Sequence, residues 1–166
     1  MEPAIDNIKH TVDFKPVVGE DMIEEVRQLF MEYAQSLDID LCFQGFETEL
    51  KTLPGKYGPP AGALILASVD SQAAGCIALR SVSEDICEMK RLYVRDAYRG
   101  LGIGKALISM LIDEAKKLNY RYIRLDTLAT MKDAQNLYLS LGFYDIEPYV
   151  YNPFEGTRFM ELKLSE

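Results

Sequence analysis

The chain is predicted to be an α/β protein, a mixed β-sheet flanked by helices in a single domain over residues 1–166. Three observations carry this. Short strand-like runs alternate with segments of helical period along most of the chain. A glycine-rich run, Tyr98–Lys105, joins one such strand to one such helix. The 166 residues, 48% hydrophobic and 27% charged, suit one globular core burying about two-thirds of the surface an unfolded chain exposes.

The elements follow in order. Thr11–Val18 reads as a first strand, with Val12, Phe14 and Val17 as its apolar contacts. After Gly19-Glu20-Asp21, the residues Met22, Ile23, Val26, Leu29, Phe30 and Tyr33 recur at three- and four-residue spacing, one face of a helix ending near Gln35. A short helix over Phe43–Thr52 precedes Pro54–Pro60, whose prolines and glycines predict an irregular loop. Ala63–Val69 and Ala73–Val82 are apolar runs around the hairpin signal Asp70-Ser71-Gln72, and Ile86–Val94 is a third adjacent strand. Leu107, Ile108, Leu111, Ile112, Ala115 and Leu118 mark a helix over Ala106–Leu118 packed on the sheet. Tyr122–Thr127 is a strand, Met131–Leu141 a helix and Phe159–Leu164 a last strand. There is no internal repeat or interdomain linker.

Composition excludes several classes. No apolar run approaches the roughly eighteen residues a membrane span needs, and the polar, acidic N-terminus is unlike a signal peptide. Cys42, Cys76 and Cys87 lack metal-ligand spacing and read as reduced residues of a cytoplasmic protein. The net charge of −8 argues against nucleic acid and suits a cationic acceptor. A local basic patch at Arg91, Arg95, Arg99 and Lys105 is expected to receive an anionic ligand. The only histidine, His10, stands outside every motif, which argues against a Ser-His-Asp or Cys-His site and a two-histidine metal site.

Gly100, Gly102 and Gly104 clear side chains from a turn where a backbone must approach something closely. Opening onto a helix, the turn aims amides and the positive end of the helix dipole outward, a site for phosphate oxygens. A Walker loop fails on spacing: Gly104-Lys105 precedes Ala106 rather than a hydroxyl, and Arg99 stands where the first glycine belongs. A dinucleotide fingerprint fails because its third glycine falls on Lys105.

Arg99-Gly100-Leu101-Gly102-Ile103-Gly104 instead matches Arg/Gln-x-x-Gly-x-Gly/Ala, and the flanks agree. Cys87–Val94 looks like the fourth strand of the GNAT superfamily, the acetyl-CoA-dependent N-acetyltransferases. Asp133–Phe143 resembles that family's last helix, with its Tyr-x-x-x-Gly-Phe ending met by Tyr138, Gly142 and Phe143. The resemblance covers about Asp85–Tyr151. It implies a GNAT-type acyl-CoA N-acyltransferase fold and transfer of acetyl from acetyl-CoA directly to a primary amine of a small molecule or peptide.

It also implies roles by position. Arg99, Gly100, Leu101, Gly102, Ile103, Gly104 and Lys105 would hold the pyrophosphate. Leu92, Tyr93 and Val94 would pair with the pantetheine arm where the fourth and fifth strands splay, and Ala134 would let that arm lie close. Glu88 would relay the amine's proton, with solvent as the alternative base, and Tyr138 would protonate the leaving thiolate. Strand alternation is expected to put Glu88, Lys90, Leu92 and Val94 on one face. One departure is Met131, where family members often carry an asparagine that contacts the pantetheine.

The acceptor is not named by the sequence. Tyr33–Tyr57 and Tyr144–Arg158, with Tyr33, Asp38, Asp40, Phe43, Phe46, Glu47, Tyr149 and Tyr151, would suit an apolar or aromatic amine, a polyamine or a peptide N-terminus. No metal is expected, and a homodimer is left open. Two alternatives stand: a silent acyl-CoA-binding sensor of the same fold, and a nucleotide-binding protein using the glycine loop for ATP or NAD.

Overall fold

The computed structural model describes residues 9–37, 40–41 and 45–164. Seven strands form one sheet: β1 (Val12–Pro16), β2 (Ala63–Val69), β3 (Gln72–Ser81), β4 (Ile86–Val94), β5 (Tyr122–Thr127), β6 (Tyr144–Asp145) and β7 (Arg158–Lys163). Their spatial order is β1-β2-β3-β4-β5-β7-β6, and only the β4–β5 pair is parallel. A parallel pair needs a crossover between its strands, and here helix α3 (Ile103–Lys117) supplies it. The other helices are α1 (Gly19–Leu37), α2 (Phe46–Thr52) and α4 (Lys132–Ser140).

Period-two alternation splits the apolar residues between the sheet's two faces. Leu64, Leu66, Cys76 and Ala78 pack with Ile23, Val26, Leu29 and Phe30 of α1. Ile65, Ala67, Ile77, Leu79, Met89, Ile123 and Leu125 pack on the other side with Leu107, Ile108 and Leu111 of α3 and Tyr138 of α4. Val26, Leu29 and Phe30 are fully buried, each worth about 1.5–3 kcal/mol relative to exposure. That burial sets α1 against the sheet although the helix opens on glycine.

Most boundaries move by a residue or two from the sequence expectation. The β2–β3 turn is tighter than expected: Asp70 and Ser71, with φ of 50° and 69°, make it alone, and Gln72 already belongs to β3. Left-handed φ at both central residues is what a two-residue hairpin requires. The Pro/Gly loop is not wholly irregular, since Gly55–Tyr57 forms a 3-10 turn and buries Tyr57. α3 begins at Ile103, three residues early, because Gly102 caps it in the left-handed conformation with φ 78°. Phe43, expected to open α2, lies outside the described residues, as do Asp38 and Cys42.

The largest correction concerns β4. Arg91 has φ 60°, and the β3–β4 register slips between Cys76 and Ala78: Ala78 pairs with Lys90 but Cys76 with Tyr93. One extra residue in a strand exchanges the faces of everything after it. Glu88, Arg91 and Tyr93 therefore serve the α1/α2 face, while Met89, Leu92 and Val94 join the α3/α4 core. The expected single face of Glu88, Lys90, Leu92 and Val94 does not exist.

Candidate functional site

β4 and β5 pair only over Ile86–Glu88 and Tyr122–Arg124, and β4 runs on to Val94 without β5. The strands part just past the paired segment, at the carboxyl ends of the one parallel pair, where α/β sheets place ligands. Two adjoining spaces open there. A narrow inner cleft of 40 Å³ lies between Lys90, Leu92, Asp126, Thr127 and Tyr138. An outer groove of 530 Å³ runs from Leu92, Tyr93 and Val94 past Gly100, Gly102 and Gly104 to Ala134. Tyr33, Leu92 and Met131 wall both.

The glycine turn leads into the start of α3 beside the groove. Gly100 (φ 85°) and Gly102 (φ 78°) are left-handed, and no side chain caps α3. The first-turn amides of a helix have no intrahelical acceptor, so this end faces the groove with its donors open. Of the expected basic patch, only Arg99 and Lys105 line the groove. Arg95 is committed to Glu32 (2.9 and 2.7 Å) and to the Ala73 carbonyl (2.8 Å). Arg91 is buried against Glu49 (2.8 and 3.0 Å). Lys132, which the sequence reading passed over, joins the groove from the start of α4. Leu101 is 43% exposed and does not line it.

Tyr138 is buried beside the cleft, its ring tilted on Phe143 at 5.7 Å. Burial, then the nearby Tyr33 and Asp126, push its pKa well up, so the phenol is protonated and able to donate. Thr127 Oγ1 is the buried side-chain oxygen or nitrogen with no hydrogen-bond partner among the described residues. Such an orphan costs about 1–3 kcal/mol unless something else satisfies it.

Glu88 sits deeper than a base open to substrate. It is 1% exposed and does not line the cleft or the groove. Oε1 takes Arg80 Nε at 2.8 Å and Oε2 takes the Tyr149 hydroxyl at 2.6 Å. Burial alone would raise its pKa, but Lys90, the Tyr149 hydrogen bond and Arg80 outweigh it and hold the carboxyl low. Tyr149, expected in the acceptor wall, is thereby tied to Glu88 across 61 residues, with Arg124 5.2 Å over its ring. Phe46 lies under Arg91 at 5.2 Å instead of standing open to an acceptor. Both described cysteines are buried and free. Burial pushes the Cys87 thiol up to about 12 and Cys76 higher still, which disfavours a thiolate nucleophile.

Lys90, Asp126 and Thr127 as cleft walls were missed from sequence. Position at the carboxyl end of the parallel pair was the available signal for the last two. For Lys90 the bulge had to be known.

A split parallel pair with a glycine turn feeding a helix beside it defines an acyltransferase type of site, and the comparisons agree. Residues 23–143 match the acetyltransferase (GNAT) family, and the chain belongs to that family. It is 40% identical over 146 residues to an uncharacterized N-acetyltransferase of Schizosaccharomyces pombe, covering 87% of this chain and 90% of that protein. A shorter match, 37% over 86 residues, covers 51% of this chain and 28% of human N-acetylaspartate synthetase. Among solved structures, Salmonella typhimurium yncA with its cofactor acetyl-CoA shares the fold, with a TM-score of 0.65 at 19% identity over 95% of both chains. The chain is thus an enzyme of the acyltransferase class.

Proposed function

We propose that the protein transfers the acetyl group of acetyl-CoA directly to a primary amine. The observation that carries this is the adjacency of the two spaces: a groove lined by open helix amides and by Arg99, Lys105 and Lys132 shares Tyr33, Leu92 and Met131 with a small polar cleft lined by the Tyr138 phenol. The residues fit the cofactor. The left-handed glycines and the open amides of α3 would hold the pyrophosphate, with Arg99, Lys105 and Lys132 nearby. Leu92, Tyr93 and Val94 would pair with the pantetheine arm, and Ala134 leaves it room. Thr127 Oγ1 offers a buried hydroxyl that needs a partner, which offsets the missing asparagine at Met131. Acetyl-CoA supplies the activated acetyl thioester.

Tyr138 donates the proton that the leaving sulfur requires. Glu88, with both oxygens committed and its pKa held low, is a weak base. Its part is to hold Tyr149 and Lys90 in place, and the amine loses its proton to water or through that network. Human N-acetylaspartate synthetase, by its name, keeps small carboxylate-bearing amines among the acceptors to test.

Thermal denaturation with acetyl-CoA, CoA, ATP and NADH in parallel tests the reading. A ligand at a hundred times its Kd adds about 2.7 kcal/mol, and the expected result is a rise of several degrees with acetyl-CoA and CoA alone. A larger shift with ATP or NADH would sink it. Binding of acetyl-CoA with no amine-dependent release of CoA would favour the silent sensor.

A further inference from the structure

Buried and half-buried ion pairs crowd the α1/α2 face beside the open end of β4. Glu49 is shared between Arg91 (2.8 Å) and Lys56 (3.4 Å), and Glu88 between Arg80 (2.8 Å) and Lys90 (3.9 Å). Asp126 is the third carboxylate and accepts from Asn152 at 3.1 Å through Oδ2. Each of these carboxylates is thus engaged by a described side chain.

The loosest of these pairs is that of Lys90. Its side chain is 9% exposed and walls the cleft. Its ion-pair partner Glu88 is 3.9 Å away, beyond hydrogen-bond reach, and that carboxylate accepts from Arg80 and Tyr149. Burial lowers the Lys90 pKa against the pull of Glu88 and Asp126, and Arg91 and Lys56 push it the same way. An ammonium has three donors, and Lys90 Nζ hydrogen-bonds to none of the described residues, Glu88 being 3.9 Å away. Across the same cleft stands Asp126.

We propose that the acetyl acceptor is an amine that also carries a carboxylate, with Lys90 Nζ receiving the carboxylate and Asp126 facing the amine. This rests on the acetyltransferase reading and narrows its acceptor. A polyamine would bring a further cation against Lys90, and in a peptide the α-carboxyl beside the terminal amine is spent in an amide bond. The 40 Å³ of the cleft fits the head of a small amino acid.

The test is CoA release by the wild-type enzyme with acetyl-CoA and two sets of acceptors. One set is glycine, alanine, aspartate and glutamate; the other is glycinamide, alaninamide and ethylamine. An amide lowers the basicity of its amine and leaves more of it unprotonated, so chemistry alone favours glycinamide over glycine. The expected result is at least a tenfold higher kcat/KM for an amino acid than for its amide. Lys90→Gln should raise the amino-acid KM at least tenfold and erase that preference, with the KM for acetyl-CoA little changed, while Lys90→Arg keeps part of the preference. Turnover of amides equal to that of acids, turnover of none of the amino acids, or a preference that survives Lys90→Gln overturns the proposal. If Lys90→Gln does not fold, the wild-type comparison decides alone. Failure of acetyl-CoA to shift the wild-type melting curve would instead strike the acetyltransferase reading beneath it.

Discussion

Arg91 donates from Nε and Nη2 to the two oxygens of Glu49, at 2.8 and 3.0 Å, across 42 residues of sequence. The pair joins α2 to the one left-handed residue of β4. The guanidinium also lies 5.2 Å from the Phe46 ring and 6.0 Å from that of Tyr33. A left-handed φ on a non-glycine residue costs about 1–3 kcal/mol, and these contacts hold it. The bulge puts Leu92 on the face opposite Lys90, and both line the cleft.

Glu49→Gln should therefore destabilise the fold by about 3–5 kcal/mol, the usual cost of leaving a buried charge uncompensated. Denaturant titration measures it. A loss below 1 kcal/mol would mean that the pair does not hold the bulge.

The same residue gives a pH dependence. Burial raises the Glu49 pKa, but Arg91, the Tyr57 hydroxyl and Lys56 more than reverse this, so the folded value is depressed. Glu88 is depressed likewise. A depressed carboxyl contributes stability that is complete above its unfolded pKa and is lost as pH falls through the folded one. Stability should decline from about pH 5 downward, and less steeply in Glu49→Gln. Equal acid slopes in the two proteins would remove Glu49 from the account.

Tyr138→Phe should lower kcat at least tenfold and leave acetyl-CoA affinity nearly unchanged, because it removes a proton donor and keeps the ring packed on Phe143. Steady-state kinetics with a binding titration separates the two effects. Full turnover in the variant would take Tyr138 out of the chemistry.

Gly102→Val should weaken acetyl-CoA binding at least tenfold. No protein atom lies within 4 Å of the added Cβ, so a clash inside the protein is not the reason; φ of +78° is, a conformation valine resists. Gly104→Ala is the companion variant, since its Cβ meets only Val94 Cγ2 at 3.9 Å. It should keep the melting temperature and still reduce affinity if the backbone approaches a phosphate there.

Thr127→Val should raise stability by about 1 kcal/mol, since an unpaired buried hydroxyl becomes a methyl of the same shape. Acetyl-CoA affinity should fall in the same variant. A loss of stability would show that the hydroxyl already has a partner in the folded enzyme.

Much of this was legible along the chain. β2, β4 and β5 begin and end where their apolar runs do, because burial on a sheet face imposes a period of two that composition records directly. The glycine turn was legible for a related reason: left-handed φ at Gly100 and Gly102 restricts residue type strongly enough to leave a mark. Arg91 left none, since arginine has no preference for φ of 60° and its bulge depends on Glu49, Phe46 and Tyr33 arriving from α1 and α2. Tyr149 and Glu88 are a second such pair, each a candidate for a separate role until the fold brings them to 2.6 Å.

The sequence by itself determined the order of strands and helices, the glycine turn ahead of α3 and the family. Each rests on local backbone preference or on a short spacing within one element. Tertiary structure alone decided which face β4 presents after Arg91, which cations are spent on Glu32, Glu49 and Glu88, and which charge is left to meet a substrate. Those are sums over groups distant in sequence, and a charge is free or committed only once its neighbours are in place.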